Sequence, residues 1–201
     1  MPRSGEEARR RLQQAALELF SERGYDRTTA SEIAARAGVT ERTFFRHFPD
    51  KREVLFDGQA RLRAALTGAI AQAPDGLQPL ELLYWALQSI EQLMEDNRAF
   101  AVPRQQVIAS TPALQERELA KIAALTENLA MALRHRGVDE RRATLAAEIG
   151  MASFCYAVAS WFADPSHRLN VHLDHAFDEI CKLSSPLTDT NPIRNQLAST
   201  E

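Results

Sequence analysis

Arg42, Thr43 and Phe44 stand just after Thr40, which itself follows Gly38 at the end of the stretch Thr29-Ala-Ser-Glu-Ile-Ala-Ala-Arg-Ala-Gly38. A guanidinium, a hydroxyl and an aromatic ring at the start of a short helix can reach base edges in the major groove of B-DNA, which admits a helix or a thin ribbon. Arg42 suits bidentate pairing with guanine, and Thr43 and Phe44 suit thymine methyls or backbone. Glu41 is placed to face solvent or to accept from cytosine. Arg42, Thr43 and Phe44 are therefore the candidates for base readout.

Two short helices and a turn must position them. Thr29 and Glu32 have capping-box spacing, which starts a helix whose Ile33, Ala34 and Ala37 face inward. Gly38 breaks that helix, Thr40 caps the next, and Pro49 ends it. Two short helices joined by a glycine-containing turn form a helix-turn-helix. A preceding helix, from about Glu6 to Arg23, carries Leu12, Ala15, Ala16, Leu19 and Phe20 on one face and stops at Gly24. Asp50, with Glu53 three residues on, predicts a cap for a long fourth helix reaching about Ala73, before a loop at Pro74-Asp75-Gly76.

The rest of the chain reads as helices over about Pro79–Asp96, Arg98–Ala109 (disturbed near Pro103), Pro112–Arg136, Asp139–Ala163 and Leu169–Leu183. Alternating β-branched runs are missing, so the fold class is all-α: a three-helix helix-turn-helix unit followed by a larger helical bundle. The division expected is 1–50 for the helix-turn-helix, 51–184 for the second domain, and a Ser-, Thr-, Asn- and Pro-containing tail over 185–201 that is expected to be disordered.

The stretch from Thr28 to Phe56 resembles the TetR family of transcriptional regulators. The likeness includes Ala16, Leu19, Phe20 and Gly24-Tyr25, the Ile33-Ala34 and Ala37-Gly38-Val39 core, Phe44-Phe45, and His47-Phe48 before Pro49-Asp50-Lys51. It covers about residues 8–56; beyond them the match rests on the number and length of helices. The resemblance implies phosphate contacts by Thr29, Thr40, Phe45, His47 and Lys51, the last at a helix N-terminus. Phe48 is assigned to packing on the first helix. The resemblance further implies a homodimer on a palindromic double-stranded operator, with Asp139–Ala163 and Leu169–Leu183 pairing across a two-fold axis. It also implies repression relieved by a small molecule bound between helices of the second domain.

Pocket candidates are Tyr84, Trp85, Gln88, Phe100, Gln106, Phe154, Trp161 and Phe162, although aromatic residues at helical spacing equally build an apolar core. Such a lining suits a hydrophobic or aromatic effector. No cofactor is implied.

Other classes find little purchase. There is no phosphate-binding glycine loop, no H-E-x-x-H and no G-x-S-x-G, so an enzyme is not expected. His167, His172, Asp174, His175 and Asp178 have a spacing that recurs by chance on exposed helix faces, so no metal site is assigned. Cys155 and Cys181 lie apart in apolar helical surroundings and are expected to be reduced, buried thiols. No apolar run approaches the length of a membrane span and the N-terminus lacks the apolar stretch of a signal peptide, so a cytoplasmic protein is expected. The net charge of −3 runs against nucleic-acid binding, but residues 1–55 hold 11 Lys and Arg against 9 Asp and Glu while the remainder holds 13 against 18. The basic character is thus confined to the first quarter. A helical adaptor that binds proteins through the same elements is the alternative reading.

Overall fold

The computed structural model describes residues 3–183, so the expectation for the tail over 185–201 lies outside the described residues. Ten α-helices and one short 3-10 helix occupy most of them, with no strand among the described residues: α1 Arg3–Arg23, α2 Ala30–Arg36, α3 Glu41–His47, the 3-10 turn Glu53–Phe56, α4 Gln59–Gln72, α5 Pro79–Ser89, α6 Glu91–Asp96, α7 Arg98–Ala109, α8 Pro112–His135, α9 Glu140–Ala163 and α10 Leu169–Leu183.

Local chemistry accounts for several of the ends. Asp139 accepts from the amide of Arg142 to start α9, and Pro112 occupies the first turn of α8, where a missing N–H costs nothing. α7 runs through Pro103 without a break.

Two expected helices are divided. The long fourth helix does not form: Asp50 does accept from the amides of Arg52 and Glu53, but the chain then makes only the 3-10 turn before Gly58. Val54, Leu55 and Phe56 are consecutive and all buried in the N-terminal core, and Gly58 at φ 89° resets the direction so that α4 can serve the other core. The helix expected over Pro79–Asp96 is interrupted at Ile90, which is buried at φ −95°, ψ 0°.

Apolar side chains form two clusters. The first joins α1, α2, α3 and the 3-10 turn, and it draws in Val107 and Ile108 of α7 and Leu114 of α8. The second joins α4, α5, α8, α9 and α10 around fully buried Leu66, Ile70, Leu133 and Trp161. α7 and the start of α8 therefore lie against the first cluster while the rest of α8 belongs to the second.

By length and composition α9 could cross a bilayer. Its apolar character serves the second cluster instead, because Ala143, Ala147, Gly150, Phe154, Ala157 and Trp161 are buried against neighbouring helices. Close approach of α5 is the reason for glycine at 150: a Cβ there would lie 2.7 Å from Cδ1 and 3.3 Å from Cβ of buried Leu83. The clash outweighs the helix propensity gained, so Gly150→Ala is expected to lower stability by about 1–3 kcal/mol in thermal or urea unfolding. A rise in Tm would show that α5 can move aside.

Candidate nucleic-acid interface

The helix-turn-helix is held by the interactions its residue types suggest. Thr29 Oγ1 accepts from the Glu32 amide at 3.2 Å while a Glu32 carboxylate oxygen accepts from the Thr29 amide at 2.9 Å, a complete capping box. Gly38 takes φ 68° in the turn, and Thr40 Oγ1 accepts from the Thr43 amide at 3.2 Å to start α3. Ile33, Ala34, Ala37, Phe44 and Phe48 then pack on Leu12, Ala16, Leu19 and Phe20 of α1.

Seven-residue α3 has a sharply divided surface. Phe44 and Phe48 lie one turn apart and are buried, the latter as assigned, with their rings 5.9 Å apart and Arg9 over the Phe48 ring. Thr40, Glu41, Arg42, Phe45 and Arg46 are exposed, and Thr43 and His47 are half-buried at the edges. Phe44 is thus corrected from a base-reading candidate to a core residue, because a side chain with no exposed surface cannot meet a groove. Its neighbour Phe45 takes the outward place at 51% exposure, edge-on to Phe44. Arg46, which is not among the residues expected to touch DNA, shares this face with Arg42. Their four-residue spacing on a helix was the available signal.

The structure also sorts the basic residues. Arg9 pairs with Asp57 through two nitrogens, Arg36 with Glu22 and Glu18, Arg23 with Glu32, and Arg52 with Asp50 and Glu53. Arg42 and Arg46 make no hydrogen bond or ion pair among the described residues, so two cations are left on the outward face of α3. Arg11 lies beside the turn, with a guanidinium nitrogen 3.8 Å from where a Cβ on Gly38 would be.

Lys51 is corrected in its setting. It stands in a turn before the 3-10 helix, and its Nζ donates to the carbonyls of Tyr25 and Thr28, both at 2.8 Å, while lying 4.3 Å from the centre of the Tyr25 ring. The ammonium thereby holds the loop between α1 and α2. Lys51→Met is expected to cost about 1–3 kcal/mol of stability through those carbonyls. A calorimetric Tm equal to that of the unsubstituted protein would show that the amine serves only the surface.

His47 has a buried Nε2 with no hydrogen-bond partner, and burial, followed by Arg46 and Arg9, lowers its proton affinity below the ordinary imidazole value. The shift favours the uncharged ring.

The eight pocket candidates do not converge. Tyr84 and Gln88 both donate to Asp174 of α10, at 2.6 and 2.7 Å, and tie α5 to α10. Trp85 and Gln106 are exposed. Phe100 packs on the N-terminal cluster, whereas Phe154 and Trp161 are buried in the second, with the Phe162 ring tilted beside Trp161 at 5.1 Å. Two surface clefts, of about 240 Å³ between α8 and α9 and about 370 Å³ around Asp75–Pro79 and Arg136–Arg142, are lined by none of the eight. Aromatic periodicity here therefore built core and helix junctions.

The geometry agrees with comparisons against known proteins. The family described as "Bacterial regulatory proteins, tetR family" matches residues 12–57, and that described as "MftR C-terminal domain" matches residues 77–184. The regulator TcmR of Streptomyces glaucescens is 31% identical over 138 residues, covering 65% of this chain and 61% of the relative. MftR of Mycobacterium tuberculosis, named as a transcriptional regulator of mycofactocin biosynthesis, is 27% identical over 191 residues, 90% of this chain and 96% of the relative. Among solved structures, FadR of Thermus thermophilus, a TetR-family repressor in complex with lauroyl-CoA, superposes with a TM-score of 0.52 at 26% identity, covering 85% of this chain and 91% of that one. With its two matched regions in order along an all-helical chain, the protein belongs to the TetR family of bacterial transcriptional regulators.

Proposed function

We propose that the protein is a sequence-specific repressor that binds a palindromic operator as a homodimer in the cytoplasm and leaves it when a small molecule binds the C-terminal helices. The observation that carries this reading is the outward face of α3, where Arg42, Phe45 and Arg46 are presented without protein partners to satisfy the two guanidinium groups, above a buried Phe44–Phe48 seat. In this reading Arg42, Thr43 and Arg46 read bases, and Thr29, Thr40, Phe45 and His47 contact the backbone. The DNA-binding unit extends past residue 50 to about Asp57, because Val54, Leu55 and Phe56 belong to its core. The remainder forms the ligand-binding and dimerisation unit.

Dimerisation through α9 and α10 is supported by Leu145 and Tyr156, exposed at 61% and 64% on one face of α9 together with Ala152. Large apolar side chains in such a row favour a covering partner. Two reading heads on one duplex then address two half-sites about one helical turn apart. Release requires an effector that prefers the DNA-incompetent arrangement, by a coupling of about 1–3 kcal/mol or more. The likeness to a FadR that holds lauroyl-CoA favours an effector with an apolar chain.

A reporter placed behind the bound operator tests the direction of control. Expression is expected to fall when the protein is supplied and to recover with effector. Expression that rises on supplying the protein would make it an activator.

A further inference from the structure

We propose that Arg104, Arg117 and Lys121, gathered around Phe56 where the DNA-binding unit meets the C-terminal helices, bind the acidic head group of the effector, a carboxylate or phosphate carried on an apolar chain. This rests on the effector reading above and assigns the effector its chemical class.

The three cations come from two helices onto one ring. The guanidinium carbons of Arg104 and Arg117 lie 5.0 and 5.1 Å from the centre of Phe56, and the Lys121 ammonium lies 5.9 Å from it. Their side chains keep only 13%, 26% and 17% exposure, so the charges are partly withdrawn from water yet still reachable. Two carboxylates face them. Glu118 accepts from Arg104 at 2.8 Å and lies 3.5 Å from Lys121, and Glu53 takes both nitrogens of Arg117 at 2.8 and 3.0 Å. Arg52, whose buried Nε lies 3.5 Å from Glu53, has Asp50 as a second carboxylate neighbour at 3.5 Å. One positive charge is left over.

An unbalanced, half-buried charge is costly in a purely structural network, where each ion is normally paired. Lys121 bears that cost most visibly. Burial, and then Arg104, push its ammonium below the ordinary lysine value. Glu118, which burial pushes up, is nonetheless held below its ordinary value by Arg104 and Lys121. An ammonium has three donors, and the carboxylate of Glu118 at 3.5 Å is shared with Arg104. A single anion would balance the remaining charge and offer the ammonium a further acceptor.

The surroundings fit an anion with an apolar chain. Cys155 of α9 lies close enough to Glu118 and Lys121 for both to act on its thiol, which burial pushes up, and it packs on the C-terminal core. That is the side on which the apolar C-terminal cluster begins. On the other side, the Arg117–Glu53 pair and the Nε of Arg104, which donates to the Leu55 carbonyl, hold the 3-10 turn beneath α1. An incoming anion competes with Glu53 and that carbonyl for the two guanidinium groups. Binding therefore loosens the turn that seats the DNA-binding unit, which links the site to operator release.

The test measures binding of decanoate, decyl phosphate and decanol, with octyl and dodecyl counterparts of each, to the full-length protein freed of copurifying ligand and without DNA. Titration calorimetry is expected to give at least about tenfold tighter binding for an acid than for the matching alcohol. The carboxylate and phosphate arms show which head group is taken. Lys121→Met is expected to keep its fold by Tm and lose that preference, whereas Glu118→Gln, which frees Arg104 and Lys121, should strengthen acid binding severalfold. Acids that bind no better than alcohols, acids that do not bind, or a preference unmoved in both variants would overturn the site. Operator release by alcohols without such a preference would leave the repressor reading standing. Acid binding that shifts with both variants but never releases operator would sustain the site and sink effector-controlled release.

Discussion

Arg42→Ala with Arg46→Ala is expected to lower affinity for the best-bound duplex by about 100- to 1000-fold at constant salt, since each arginine can make a bidentate base contact. Thermal stability should stay within about 0.5 kcal/mol, because neither guanidinium has a partner in the protein and both project from the exposed face of α3. The comparison that gives the result meaning is Arg36→Ala. Arg36 is equally basic and lies on the neighbouring helix, but it is engaged by Glu22 and Glu18 of α1 and should weaken DNA binding far less. Equal losses from the outward pair and from Arg36 would mean that only general positive charge matters.

Phe44→Ala and Phe45→Ala should separate cleanly although the residues are adjacent. Phe44 has no exposed surface and touches Phe45 and Phe48, so its truncation is expected to cost about 3–5 kcal/mol, a large share of what holds a protein of this size together. DNA binding would be lost with the fold of the small N-terminal unit. Phe45 is half exposed, and its truncation should leave urea unfolding nearly unchanged while weakening operator binding. The reverse pattern would mean that α3 is rotated by about a third of a turn from the orientation described.

The same two residues show how far a single sequence can be read. Thr29 with Glu32, Gly38 and Thr40 have local signatures whose hydrogen bonds and backbone angle appear in the structure as their types require. Which of two adjacent phenylalanines faces inward depends instead on how α3 rolls against α1, a long-range matter that a seven-residue helix does not encode by itself. Lys51 shows the same limit. Its partners are the carbonyls of Tyr25 and Thr28, more than twenty positions earlier, and no local pattern announces them.

The divided fourth helix had a visible cue. Val54, Leu55 and Phe56 are three apolar residues in succession, more than one stripe of an amphipathic helix accommodates, and Gly58 follows two residues later. The C-terminal half offered least. Trp161, Phe154 and Phe100 have the side chains of a ligand pocket and the burial of core, and only packing distinguishes the two. The helical charge spacing of Arg104, Arg117 and Lys121 is ordinary and gives no sign that the three converge on Phe56, a residue of another element.

Whether α3 reads a DNA sequence from a two-fold symmetric protein is decided by selecting bound duplexes from a randomised library with the purified protein, free of copurifying ligand, beside the Arg42→Ala/Arg46→Ala variant. Expected are enrichment of a palindrome with half-sites about one helical turn apart, affinity falling with salt, and no such enrichment by the variant. A folded protein that enriches no sequence, or a variant that enriches the same palindrome, would contradict readout by α3.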